Sequence, residues 1–257
     1  MRLIAPLVVG LVVVAMASEA FARSRCGGRN RVRGIDVSKW QGAVDWKRVA
    51  RAGVRFAFIR VSDGTNPTDP TFATNWQKAR AARITRGAYQ YFRPDQDPIE
   101  QADRLIAQMG PLRRGDLPPV LDLETSGGKT KRQVVARVRK WIKRVKSATG
   151  VDPIIYTNAK SWIEIAGNNR SWRRSPLWVA HFGVRCPMTP TAWRRWTFHQ
   201  HSETGQVGGI RGAVDLNDFN GTRAQLRRLT VKSERKARAR YRAWKRKRAR
   251  ERRRARR

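Results

Sequence analysis

The 257-residue sequence predicts an α/β barrel that becomes irregular over its last third. Strand-like and helix-like runs alternate along the chain, eight of them read as strands, and the first five strands are each followed by a helix. Alternating βα units imply a parallel sheet, and eight strands favour closure related to the (β/α)8 type. An open doubly wound sheet is the other arrangement this order allows. With 40% apolar residues and ten Trp, the chain has the material for a packed core, which excludes a disordered protein.

Residues 31–37 have strand character, and residues 45–52 carry helical spacing with Asp45 placed to cap the start and Gly53 to end it. Residues 55–62 (RFAFIRVS) alternate as a strand, and residues 72–83 follow as a helix after Asp69-Pro70. The third unit is a strand over 85–92 and a helix over 98–109 stopped by Gly110. The fourth is an apolar strand over 119–124 and a long basic helix over 130–149 closed by Gly150. The fifth is a strand over 154–158 and a short helix near 161–166. Three further strands, over 177–182, 196–202 and 213–219, have no clear helices between them.

The two ends differ from this body. Met1-Arg2, an apolar stretch over residues 3–17 and the small-x-small run Ala20-Phe21-Ala22 have the layout of a secretory signal peptide. Residues 1–22 are therefore read as an export signal, with an uncleaved anchor helix as the alternative, and the protein as secreted or periplasmic. Cys26 and Cys186 survive that cleavage, and an oxidising compartment permits a bridge between them. Two Cys cannot build a four-Cys zinc site, and His181, His199 and His201 have no ligand spacing, so no metal is expected. At the other end, residues 232–257 hold 16 Lys or Arg against two acids. Only Tyr241, Trp244 and scattered Ala interrupt the charge, so residues 231–257 are expected to form a disordered or loosely helical, solvated tail. The barrel domain then occupies residues 31–230. With 56 Lys and Arg against 19 Asp and Glu, the net charge of +37 suits a polyanionic partner. Export favours an anionic envelope polymer or lipid for the tail over nucleic acid. Nothing in the sequence requires a cofactor, and a monomer is expected.

Acidic residues are informative because the chain has so few. In a barrel of this type chemistry sits at the C-terminal ends of the strands. Asp36 ends the first strand, Asp122 and Glu124 end the fourth, and Asp215 lies in the last. Residues two apart on a strand share a face, so Asp122 and Glu124 point inward while Leu121 and Leu123 pack outward. Two such carboxylates cannot both ionise cheaply, and one holds a proton near neutral pH. That is the requirement for a general acid beside a charge stabiliser in glycoside cleavage. Binding of a hard cation is the competing use of the cluster, and ion pairing with the many Arg is the structural one.

The same segments resemble glycoside hydrolase family 25, the Chalaropsis-type lysozymes. The matching runs are GIDVSKWQG (34–42), RFAFIRVSDG (55–64), DPTFATNWQKA (69–79), GAYQYF (87–92), PPVLDLE (118–124), IIYTN (154–158), LWVAHF (177–182) and WTFHQHSETGQVGGIRGAVDLNDFNG (196–221). The resemblance implies an irregular TIM-like (β/α)5β3 barrel that cleaves the β-1,4 bond between N-acetylmuramic acid and N-acetylglucosamine in peptidoglycan glycan strands. It implies Glu124 as the general acid/base and Asp122 as stabiliser of the developing positive charge. It implies Asp36 and Asp215 as orienting and tuning members of the cluster. Sugar rings pack on aromatic faces, and Tyr89, Tyr91, Tyr156, Trp178 and Gln200 are the substrate-binding candidates. The chain departs from the family at Asp63 (commonly Glu), Gln90 (commonly His), His201 (commonly Tyr) and Arg83 (commonly Gly). A catalytically silent barrel that binds cell-wall glycan, held to the envelope by its tail, is the alternative from another class. Presence of all four acids weighs against it.

Overall fold

The computed structural model describes residues 22–255. The segment read as an export signal thus lies outside the described residues, apart from Ala22. Eight strands close a barrel: β2 (Arg31–Val37), β3 (Phe56–Asp63), β4 (Thr85–Tyr91), β5 (Val120–Asp122), β6 (Ile154–Thr157), β7 (Leu177–Ala180), β9 (Phe198–Gly205) and β10 (Val214–Asn220). Strands β2 to β7 run parallel in sequence order, β9 is parallel to β7, and β10 closes the ring antiparallel to both β9 and β2. Helices α1 (Trp46–Arg51), α2 (Phe72–Ala81), α3 (Pro98–Met109), α4 (Lys131–Thr149) and α5 (Ala159–Ala166) follow the first five barrel strands. No helix separates the last three barrel strands, so the closed (β/α)5β3 arrangement holds and the open sheet does not. Two short strands, β1 (Ala22–Ser24) and β8 (Met188–Pro190), pair antiparallel outside the barrel. Beside them a disulfide joins Cys26 to Cys186.

Local chemistry sets these boundaries. Asp97 caps α3 by accepting from the N–H groups of Ile99 and Glu100 (2.8 and 2.7 Å), with Pro98 opening the first turn. Thr130 and Gln133 form a reciprocal capping box on α4, and Gly150 ends it in the left-handed region at φ 79°. At the end of α2 the left-handed position is Arg83, φ 59°, the place where the family commonly has Gly. Strand β5 stops at Asp122, so Glu124 lies just beyond the strand that the apolar run suggests.

The pleat divides the core in two. Leu121, Leu123 and Ile155 face outward under the helices, joined by Val134, Val138, Trp141 and Val145 of α4. Inside the barrel lies a mainly aromatic filling of Phe56, Phe58, Trp178, Phe198 and Phe219. Phe58 stacks on Trp178 at 4.2 Å and meets Phe198 edge-on at 5.0 Å. These rings need space from the strand beside them: a Cβ on Gly87 would lie 2.7 Å from the Phe58 ring. Helix α6 (Arg223–Leu229) plugs the lower end, sending Leu226 into this filling.

The basic tail is a helix, α7 (Glu234–Arg254), and it is docked rather than solvated. Ala237 and Trp244 are buried, with Tyr241 packed at the edge of the same face. The stripe is narrow, as the sequence indicates, but a polar latch supplements it. Asp103 of α3 accepts from Trp244 Nε1 (2.8 Å) and pairs with Arg144 (2.7 Å) and Arg248 (3.3 Å). Arg144 also pairs with Glu251 (2.7 Å). Burying one Trp removes about 200 Å² from water, worth about 5 kcal/mol by area, which offsets the self-repulsion of the charged helix.

Candidate active site

Barrel closure brings all four acids to the mouth, the end where the parallel strands finish. Asp36 is the penultimate residue of β2 and Asp122 the last of β5. Because β10 runs the other way, its beginning lies at the mouth, and Asp215 sits directly across from Asp36 in the β10–β2 ladder. Asp122 is flanked in register by Tyr91 on β4 and Tyr156 on β6. Asp36 and Asp122 are buried at 4% exposure, whereas Glu124 is open to solvent at the rim of a crowd of carboxylates.

Asp36 is held from several sides. Gln200 Nε2 donates to its Oδ2 at 3.0 Å and Asn217 Nδ2 at 2.7 Å. Both amides are locked by donors on their oxygens: Tyr156 OH donates to Gln200 Oε1 (2.7 Å) and Trp178 Nε1 to Asn217 Oδ1 (2.7 Å). An indole can only donate, so the Asn217 nitrogen must face Asp36. Burial still pushes Asp36 up, against the hydrogen bonds from Asn217, Asp215 and Gln200. Burial and then the Asp36 charge push Asp215 up to about 9. The donors converge on Asp36, so the proton of this pair resides on Asp215.

The second pair is Asp122 with Glu124. Burial pushes Asp122 well above the usual carboxylate range, and the neighbouring Glu124 charge adds to it. Burial also raises Glu124, while its hydrogen bond with Asp122 works the other way. Without a ligand the shared proton therefore sits on the deeper Asp122. Among the described residues no N–H or O–H donates to the buried Asp122 Oδ1. That oxygen depends on the shared proton or on a donor brought in from outside. Arg60, on the inner face of β3, opposes the rise of Asp122 and is steadied by Asp69 at 3.3 Å. Asp69 also accepts from Lys39 N (2.8 Å), which ties the β2 and β3 loops together.

The five substrate-binding candidates divide by depth. Tyr89 and Tyr91 are half-buried in the mouth, and Arg93, gripped by Asp63 at 2.6 Å, lies over the Tyr91 ring at 4.5 Å. Tyr156 (7% exposed), Gln200 (5%) and Trp178 (1%) lie beneath. Trp178 therefore offers no face to a sugar: it stacks on Phe58 and orients Asn217. Two exposed aromatics stand instead in loops leaving the mouth, Trp40 after β2 (75%) and Phe182 after β7 (42%). Asn217, Arg60 and Asp69 were not singled out from sequence. Asn217 carried one usable signal, lying two residues after Asp215 on the same strand face.

Of the remaining departures from the family pattern, Gln90 is structural. Gln90 is fully buried on the outer face of β4, donating to Ser62 Oγ (2.9 Å) and accepting from Trp141 Nε1 (2.8 Å). Burial lowers His199 to about 4. No group of His, Cys and acidic residues suited to a metal occurs among the described residues.

Comparison with known proteins agrees with this fold. The family model for glycosyl hydrolases family 25 matches residues 35–210. Lysozyme M1 of Streptomyces globisporus is 42% identical over 205 residues, covering 76% of this chain and 70% of that protein. The N,O-diacetylmuramidase of Chalaropsis sp. is 32% identical over 203 residues, covering 72% and 96%. The crystal structure of the bacterial lysozyme from Streptomyces coelicolor superposes with a TM-score of 0.76 at 39% identity, covering 79% of this chain and 98% of that one. With the barrel, the order of its strands and the match in agreement, the chain belongs to glycosyl hydrolases family 25.

Proposed function

We propose that this peptidoglycan hydrolase cleaves the β-1,4 bond between N-acetylmuramic acid and N-acetylglucosamine, with Glu124 as general acid/base and Asp122 as its stabilising partner. The observation that carries the reading is a buried Asp122 oxygen to which no group among the described residues donates, beside Glu124, with burial raising the proton affinity of both carboxyls. An acetamido N–H of the sugar, donating to Asp122, favours its charged form. The proton then moves to Glu124, which sits at the open rim where a glycosidic oxygen arrives. As the bond to the leaving sugar breaks, Glu124 protonates that oxygen, and the Asp122 carboxylate holds the acetamido group against the developing positive charge. Glu124 then takes a proton from the incoming water. Asp36 stays fixed by Gln200 and Asn217, and Asp215 stays protonated, so the cluster does not gather four negative charges around a cationic transition state that needs one or two.

Tyr89 and Tyr91 form the walls at the reacting sugar, and Trp40 and Phe182 supply apolar faces for sugars further along the strand. The protein acts after export and removal of residues 1–22. No step requires a metal or cofactor. Mass spectrometry of purified peptidoglycan digested by the protein, beside a Glu124→Gln control, tests the assignment. Fragments ending in reducing muramic acid are expected, with turnover lowered at least about 100-fold in the control. Unchanged turnover in the control would sink the role of Glu124, and intact glycan with retained binding would favour the silent barrel.

A further inference from the structure

At the end of the barrel opposite the acidic mouth, the structure holds a groove of about 1110 Å³. Its walls come from three separated segments: the loop from α5 to β7, the turn between β8 and β9, and helix α6. Six arginines line it, Arg170, Arg173, Arg174, Arg194, Arg195 and Arg228, with no Lys and no acid among the lining residues. All six are exposed, and none has a salt-bridge partner among the described residues. Elsewhere the chain commits its scarce acids to arginines, as in Arg86 with Asp116 and Arg144 with Asp103. Six unpaired guanidinium groups around one concavity repel within a screening length of about 8 Å. An anion that entered would relieve that repulsion.

We infer that this groove is a second binding site, for a linear phosphodiester polymer that carries no bases, of the polyol-phosphate kind. The site is additional to the hydrolase reading and does not depend on it. Guanidinium forks match phosphate oxygens in a bidentate manner, which an ammonium cannot do. Arginines drawn from three separated segments surround the groove, which suits a chain of repeated phosphates better than a single one. Single-stranded nucleic acid is disfavoured because its bases need exposed rings to stack on. Here Trp193, Trp196 and Phe219 are buried at 2%, 1% and 5% exposure. Both indole N–H groups are also spent on backbone carbonyls, Ser175 O and Arg25 O, at 2.9 and 2.7 Å. A bilayer is disfavoured because the surface is concave and the large exposed apolar side chains, Trp40 and Phe182, belong to the mouth.

The test measures binding of a fluorescent polyglycerol phosphate of about 20 repeats to the full chain near physiological salt, where binding through phosphates stays strongly salt-dependent. Arg173→Gln, Arg174→Gln, Arg194→Gln and Arg195→Gln are combined in one variant. A second removes four charges from the exposed face of α7, as Arg242→Gln, Lys245→Gln, Arg246→Gln and Arg253→Gln, so both keep the same net charge. The groove variant is expected to bind at least about tenfold more weakly with a shallower salt dependence, and the helix variant less than about threefold more weakly. A double Arg170→Gln, Arg228→Gln variant, drawn from the other walls, is expected to lose several-fold and guards against misfolding of the fourfold change. Equal loss in the two fourfold variants would overturn the site in favour of diffuse charge. Equal or tighter binding of a single-stranded oligonucleotide of matched charge would overturn it in favour of nucleic acid, and preference for phosphatidylglycerol vesicles in favour of a membrane. The assay involves no turnover, so its failure leaves the hydrolase assignment where it was.

Discussion

Asp215 shows most sharply how the mouth trades stability for chemistry. A carboxyl whose proton affinity is higher in the folded chain than in the unfolded one favours folding at low pH. That contribution is lost as pH rises from the ordinary carboxylate value near 4 toward the folded one, about 9 for Asp215. Asp36, Asp122 and Glu124 are displaced in the same direction. Asp215→Asn keeps a donor toward Asp36 and removes the cost of protonating, on folding, an acid that is ionised in the unfolded chain at pH 7. It is expected to raise Tm by about 2–4 °C at pH 7, with the gain vanishing near pH 4, while lowering turnover. A thermal melt at the two pH values checks it, and an equal gain at both would exclude proton uptake by Asp215 as the cause. The acids themselves were legible in the sequence because they are rare and stand at strand ends, and because Asp122 and Glu124 are spaced two apart. Asn217 was not, since its meaning comes from closure: its partner Asp36 is 181 residues away, across the ladder that closes the ring. Trp178 was ambiguous because an aromatic on an inward face can serve the filling or the cleft, and its depth, at 1% exposure, was not legible in the sequence.

Among the elements, two depart from what local pattern suggests. Helix α2 ends on Arg83 with φ 59°, a conformation that costs an L-residue about 1–2 kcal/mol. Arg83→Gly relieves this, less the extra freedom that glycine gives the unfolded chain, and is expected to stabilise by up to about 1 kcal/mol. Urea denaturation with an unchanged m-value would report it. Helix α7 looked like a solvated arm because a lone Trp in a charge run forms no visible stripe. Its receiving group, Asp103, lies 141 residues earlier on α3, and no local window contains both. Trp244→Ala removes the buried anchor and leaves the Asp103–Arg144 pair in place. We expect limited proteolysis to clip the chain between residues 232 and 257 much faster in this variant, while hydrolysis of soluble glycan fragments is unchanged. Equal clipping rates would show that the polar latch alone holds the helix. The parallel strands and their five helices, by contrast, were readable almost residue by residue, since capping side chains and stop glycines act within one turn.

For the whole molecule, strand count and order were legible from alternation, whereas the distribution of charge was not. Fifty-six basic residues hide any six of them, and the groove arginines come together only because three segments meet below the barrel. The Cys26–Cys186 bond spans 160 residues. Constraint of so long a loop is worth about 2–4 kcal/mol, so reductant is expected to lower Tm by about 5–10 °C; no change in a calorimetric scan would place the stabilisation elsewhere. The bond also turns β2 through β7, with all five helices that follow them, into a covalent macrocycle. A single protease nick anywhere inside that ring leaves every fragment attached, free to stay in place. A nick after Cys186 has no such insurance: it can release β9 and β10, and with them Gln200, Asp215 and Asn217. The exposed turn around Gly208–Gly212 is thus where one cut would end catalysis.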